Sequence, residues 1–464
     1  MNRKAKAGLL SFYLKLYDDV VPERRPEVEK FRKRVKAALA AEGVEVSSAP
    51  VCRVKQEFDA AVSQLEADDV DIIVTLHLAY SPSLESIDAL CAAKVPLLSL
   101  DTTPDFAFDQ AVNPDRIMYN HGIHGVQDMT SMLRRRGRPY EILAGHVSES
   151  NVMSRAAGVV RAAYAARRLK GTKVLRIGES FAGMGDFAVD EEVLERVLGV
   201  SVSEVTPAAL GPLVASVTDD AVDAELALDR KQFDCDLPDD VHRRSVKLGL
   251  ALRRMLDERG VDAFSMNFLA FDATEPTVET VPFLEASKAM SRGIGYAGEG
   301  DVLTASLVGA LLAAFDQTTF TEIFCPDWKG GQVFLSHMGE INPRTAAAKP
   351  PLCEKPFPYT PAENPAVLAC AVKPGAAVLV NLSPGPDESF RLIVAPVEVT
   401  GDTTRDDMKR SVRGWIRPTR TTAAFLEAYS RLGGTHHSAL VLGDHAEAIE
   451  AFARFAGIEC RVID

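Results

Sequence analysis

The sequence predicts two doubly wound α/β domains, over residues 1–170 and 171–321, followed by a mostly antiparallel β-rich domain over 322–464. Three observations predict it. Short apolar runs alternate with amphipathic segments through the first domain. The same alternation restarts at Thr172. From about Glu322 the texture changes to short β-rich runs separated by Pro-rich turns.

In chain order, Gly8–Leu14, Asp71–Leu78 and Val95–Leu100 are apolar, short and bounded by turn or charge signals, as buried parallel strands are. Between the first two lies Glu23–Ala41, where Val28, Phe31, Val35, Ala38 and Leu39 recur at helical spacing. The second domain opens with the strand Thr172–Ile177, which runs into the glycine-containing turn Gly178–Asp186. A long helix at Val241–Arg259, a strand at Ala263–Phe271 and an apolar helix at Val302–Phe315 follow. In the last domain, strands are expected at Gln332–His337, Ala376–Asn381, Phe390–Val399 and Ser438–Leu442, then a helix at Asp444–Ala456 and a strand at Glu459–Ile463. The Pro-rich stretch Lys349–Pro365 reads as extended connection.

At 464 residues the chain is long enough for two or three cores. Its 52 Lys and Arg against 65 Asp and Glu give a net charge of −13. That balance argues against nucleic acid or an anionic membrane as the main partner. The longest apolar stretch, Val302–Phe315, falls short of the ~20 residues that span a bilayer. The N-terminus lacks a signal core and cleavage site, so a cytoplasmic location is expected. Seven scattered cysteines with no C-x-x-C read as reduced thiols.

Chemistry concentrates in four segments. Glu299 lies in Gly295-Tyr296-Ala297-Gly298-Glu299-Gly300-Asp301, Glu322 in Phe320-Thr321-Glu322, His337 in Ser336-His337-Met338, and His436-His437 after Gly433-Gly434-Thr435. Each has an ordinary explanation on its own. Glu299 serves as a helix-start carboxylate, Glu322 as an edge-strand residue, and His337 as a core histidine. Together, two carboxylates and two imidazole positions without a thiolate form a ligand set for Mn2+, Mg2+, Co2+ or iron rather than for structural zinc. Glu322 sits among Phe320, Ile323 and Phe324, where an unpaired carboxylate is costly. Of the paired histidines, neighbours on a strand face opposite sides, so one can ligate while the other orients it or meets substrate. Gly293–Gly298 also satisfies G-x-G-x-x-G, but a helix-like segment precedes it where a dinucleotide fingerprint needs a strand.

These segments, in this order, resemble the L-arabinose isomerase family and, more distantly, L-fucose isomerase. The likeness includes Thr304-Ala305, Glu340, Phe390–Val394, the terminal Ala456–Asp464, Ser81-Pro82 and His124-Gly125, and it spans nearly the whole chain. The resemblance implies two Rossmann-like domains and a C-terminal β-barrel-like domain. It implies an aldose–ketose isomerase that uses Mn2+ or another divalent metal such as Mg2+ or Co2+. Carried over by position, Glu299, Glu322, His337 and His437 are the metal ligands, with His436 the alternative to His437. Glu299 and Glu322 are also the catalytic acid/base pair, while His124 and His436 meet the sugar. A homo-oligomer is implied, hexamer or tetramer, with His124 supplied from a neighbouring subunit.

In such a site a metal polarises the open-chain carbonyl and one Glu moves the C2 proton by way of an enediolate, with a hydride shift as a second route. The chain departs from the family at two places that face the sugar. Leu14-Lys15-Leu16-Tyr17 stands where the family has Gln-His-Leu-Tyr, and Ile323-Phe324 where it has Asp-Tyr. Lost polar contacts change which hydroxyls are recognised. L-Arabinose is therefore the first expected substrate, ahead of another pentose or a deoxyhexose. Two other functions remain open on sequence: a non-catalytic sugar-binding protein on this scaffold, and an NAD(P)-dependent oxidoreductase built on Gly293–Gly298.

Overall fold

The computed structural model describes residues 3–401 and 406–464. The chain forms two compact units, Arg3–Tyr164 and Ala165–Asp464.

The first unit is a five-stranded parallel sheet: β1 (Lys6–Phe12), β2 (Glu45–Ser48), β3 (Ile72–His77), β4 (Leu97–Asp101) and β5 (Glu141–Ala144), in the order β2-β1-β3-β4-β5. β3 is buried along its whole length, as expected of a strand covered on both faces. The core gathers Leu10, Phe12, Phe58, Leu65, Ile73 and Leu90 from strands and flanking helices. The expected helix at Glu23–Ala41 forms from Arg25 to Ala41 and buries Val28, Phe31, Val35 and Leu39.

The second unit holds two main sheets. β6 (Lys173–Ile177), β7 (Ser201–Val205), β9 (Ala263–Met266) and β10 (Gly295–Gly298) form a parallel sheet in the order β10-β9-β6-β7, while the short β8 (Asp234–Asp236) pairs elsewhere. The two parallel sheets therefore share one winding, with the order reversing beside their first strand. The strand expected over Ala263–Phe271 is shorter, because Asn267 accepts from the Leu269 N–H and starts a 3-10 turn at Phe268–Ala270.

The remaining strands are β11 (Thr318–Asp327), β12 (Gln332–Ser336), β13 (Pro351–Glu354), β14 (Ala366–Leu368), β15 (Gly375–Pro384), β16 (Phe390–Thr400), β17 (Gly414–Pro418), β18 (His437–Leu442) and β19 (Glu459–Val462). Strands β15-β18-β11-β12-β17-β16 pair antiparallel in that order, and β16 pairs back to β15, closing a six-stranded barrel. β19 adds to β16 in parallel, and β13 pairs with β8 and β14.

The helix Val302–Ala314 is apolar on every side and buried from Val302 to Leu312. It packs against β9 and β10 of the parallel sheet and against β11 and β18 of the barrel. That placement carries the turn at its N-terminus to the ends of the barrel strands. No helix among the described residues is long and apolar enough to cross a membrane, and all seven cysteines are free thiols.

Candidate metal centre

Antiparallel register does most of the assembly. In β11, Glu322 lies directly opposite His437 of β18 on one side and Ser336 of β12 on the other, and His337 is the next residue after Ser336. Directly opposed residues share a sheet face, so Glu322 and His437 project together. Phe320, two residues before Glu322, meets the rings of His337 at 4.7 Å and His437 at 4.9 Å, both edge-on.

Glu299 arrives from the parallel sheet. It follows β10 in a turn where its own φ is +64°, a conformation that costs energy for a residue with a side chain. Gly298 is required there, because a Cβ on it would lie 2.6 Å from Cε1 of His337. Asp301 caps the buried helix by accepting from the Thr304 N–H at 2.8 Å. Its other oxygen accepts from Nδ1 of His437 at 3.0 Å.

His337 is held in the same way. Its Nδ1–H donates to Glu340 Oε2 at 2.8 Å, and the Tyr296 hydroxyl donates to the other Glu340 oxygen at 2.6 Å. Tyr296, Glu340 and Asp301 are fully buried. With Nδ1 committed on both rings, Nε2 of His337 and Nε2 of His437 have no hydrogen-bond partner among the described residues. Both point toward Glu299: one ligand atom from each of Glu299, His337 and His437 lies within 4.8 Å of the others. The Glu299 carboxylate is 3.5 Å from His437 Nε2. Two buried, orphaned imidazole nitrogens converging on a carboxylate fit a divalent cation, and the tied Nδ1 atoms supply the outer support that metal-binding histidines need.

Glu322 stands at the edge of this group, with Oε2 4.0 Å from His337 Nε2, and is partly exposed. The two glutamates are driven apart electrostatically. Burial works to raise Glu299, but His436, His437 and His337 outweigh it and hold its carboxyl below the usual range. At Glu322 burial prevails over the same imidazoles and pushes the carboxyl up. The paired histidines do not face opposite sides: the His436 ring lies 4.2 Å from that of His437, and His436 differs in the partner of its Nδ1. Its Nδ1–H donates to Asp186 at 2.6 Å and its Nε2 lies 3.5 Å from Glu299. Burial disfavours its charge, yet the bonds to Glu299 and Asp186 raise it to about 9.

The structure thus brings together Glu299, Glu322, His337, His436 and His437. His124 belongs to the first unit, on the helix Gly122–Arg135, and is exposed. Beside it, Nε2 of His121 is 3.0 Å from the Tyr17 hydroxyl. Asp301, Glu340, Tyr296 and Asp186 were given no role from sequence. The spacing His337-x-x-Glu340 was the available signal for one of them. Asp301 is disguised as an ordinary helix cap. Gly293–Gly298 builds no phosphate-binding turn: it follows the helix Phe283–Ser291 and becomes β10 itself.

Comparison with known proteins agrees along the whole chain. Residues 16–171 match the L-arabinose isomerase N-terminal domain, 173–315 its central domain and 317–459 its C-terminal domain. An L-arabinose isomerase of Nocardioides sp. is 29% identical over 96% of this chain and 91% of its own length. One from Acidothermus cellulolyticus is 29% identical over 87% and 82%, and one from Klebsiella pneumoniae 26% identical over 96% and 91%.

Proposed function

This chain belongs to the L-arabinose isomerase family and is an aldose–ketose isomerase of carbohydrate metabolism, and on that premise we propose that it converts L-arabinose to L-ribulose, or a related pentose or deoxyhexose to its ketose, with a divalent metal. The observation that carries the metal dependence is the pair of buried imidazoles whose Nε2 atoms are unpartnered and face Glu299. Glu299, His337 and His437 hold the cation, and Glu322 is the fourth donor at its edge. Oxygen and nitrogen donors without sulfur suit Mn2+, with Mg2+ or Co2+ as substitutes. When bound, such a cation supplies Lewis-acid polarisation of the sugar carbonyl and lowers the pKa of the neighbouring hydroxyl.

The protein's own groups then divide the proton work. Glu322, whose burial favours the protonated carboxyl, takes the proton from C2 and returns it to C1, passing through an enediolate. Glu299, held ionised by three imidazoles, handles the hydroxyl proton that moves from O2 to O1. Electrons and atoms balance without an external oxidant, because C1 is reduced as C2 is oxidised. His436 supplies a cationic hydrogen-bond donor to a sugar oxygen. The reading extends to a cytoplasmic homo-oligomer, a hexamer or tetramer, in which His124 of a neighbouring copy adds a sugar contact.

The chain's departures from its family make the sugar the open variable. Phe324 is 42% exposed and Leu14 is half-buried, and both present apolar surface where the family carries Tyr and Gln. A Mn2+-supplemented panel of pentoses, hexoses and deoxy sugars, scored by ketose formation, tests the substrate. L-Arabinose or a pentose or deoxyhexose close to it is expected to turn over fastest, and no ketose from any aldose would refute the reading.

A further inference from the structure

The turn after β6, residues 178–187, is not part of the ligand set, yet it touches both halves of the centre. Its Phe181 N–H donates to the backbone carbonyl of Glu299 at 2.9 Å. At Gly300 a Cβ would lie 2.7 Å from Cα of Ser180, so the turn is packed directly on the strained glutamate. At its far end Asp186 accepts twice from His436, from the backbone N–H at 3.1 Å and from Nδ1 at 2.6 Å. Phe187, the next residue, stacks on the His437 ring at 5.2 Å and 9°.

We propose that Asp186 is the positioning residue for His436, fixing the ring through Nδ1 so that Nε2 faces Glu299 and the sugar. The geometry of the two bonds gives the reason. A single carboxylate oxygen that accepts from both the main chain and the ring of one histidine restrains its backbone and its side-chain torsions together. Without that restraint the ring of His436, on an irregular segment before β18, keeps only the 3.5 Å contact of Nε2 with Glu299 and its packing on Phe187 and His437. The adjoining His437 does not depend on Asp186, because its Nδ1 is tied to Asp301 and its ring is clamped by Phe187 and Phe320. Asp186 therefore acts on the sugar contact and leaves the metal ligands in place. This assignment rests on the isomerase reading for its catalytic consequence, while the Asp186–His436 bond itself does not.

The test compares Asp186→Asn, Asp186→Glu, His436→Asn and the Asp186→Asn/His436→Asn double variant with the wild type. A downfield proton resonance assigned to Nδ1–H of His436 is expected in the wild type and absent from Asp186→Asn and His436→Asn, while those of His337 on Glu340 and His437 on Asp301 persist. For turnover, Asp186→Asn is expected to raise KM for the aldose, lowering kcat/KM about 10–100-fold. Its Mn2+ isotherm should match the wild type, and Asp186→Glu should recover part of the loss. The double variant should be no worse than His436→Asn, since both changes act through one ring. A His436 resonance that survives Asp186→Asn, additive losses in the double variant, or weakened Mn2+ binding would each overturn the proposal. A wild type that isomerises no sugar would refute the isomerase reading instead, and the proton resonance would still decide the pairing.

Discussion

Glu340 accepts from Nδ1 of His337 at 2.8 Å, and both side chains are sealed from solvent. The bond fixes the tautomer of the ring, leaves Nε2 free for a cation and keeps a negative charge behind the ligand. Glu340 reaches no ligand position itself. Glu340→Gln is therefore expected to weaken Mn2+ binding about 10–100-fold with the fold intact. Calorimetric titration of the metal-stripped variant checks this, and an unchanged isotherm would remove Glu340 from the account.

Glu322 makes a different prediction because it stands outside the tight trio of Glu299, His337 and His437. Glu322→Gln keeps the shape and loses the proton transfer. Its kcat should fall by about 10²–10⁴-fold, the range for removing a general acid or base. Melting temperature should hold. Turnover within a few-fold of wild type would reassign the carbon-bound proton to another group.

Gly298→Ala places a methyl group 2.6 Å from the His337 ring. The ring has nowhere to go, with Phe320 on one side and Glu340 holding Nδ1. Overpacking of this kind costs about 1–3 kcal/mol. A lowered melting temperature together with weaker Mn2+ binding is expected. Loss of stability with normal metal affinity would show that the ring relaxes elsewhere.

A pH prediction comes from the first unit. His77, at the end of β3, is buried and stacked on Phe12, and burial pushes its pKa down to about 3. The folded ring stays neutral where the unfolded one, near 6.5, takes a proton. The unfolded state thus binds more protons between those values, and stability falls as pH drops through that window. At about 1.4 kcal/mol per unit, the loss between pH 7 and pH 4 is about 3 kcal/mol. Hydrogen exchange of the β1 and β3 amides at the two pH values measures it. His77→Leu should flatten the acid slope relative to wild type; an equal slope would exclude His77 as its source.

Much of this was legible in the sequence, and for physical reasons. Buried parallel strands such as β1, β3 and β6 announce themselves as apolar runs between turn signals. The helix Val302–Ala314, apolar on all sides, had to be covered on all sides. The four proposed ligand positions stand out in the sequence because their residue types are expensive to bury without a purpose. What escaped was long-range pairing. Asp186 and His436 are 250 residues apart, and nothing in either neighbourhood implies the other. The barrel was legible through the family resemblance alone, since its closure by β15 and β16 is a fact of register that apolar runs do not encode. Gly298 belongs to the same kind, because the atom it makes room for is on His337, just beyond β12.

The most direct measurement titrates metal-stripped protein with Mn2+ while ketose formation from L-arabinose is followed. Activity is expected to be absent without metal and to rise in step with occupancy of one site per chain. His437→Ala and Glu299→Gln should bind no Mn2+ at that site and form no ketose. Full turnover by the metal-free protein, or undiminished Mn2+ binding in both variants, would contradict the metal centre described above.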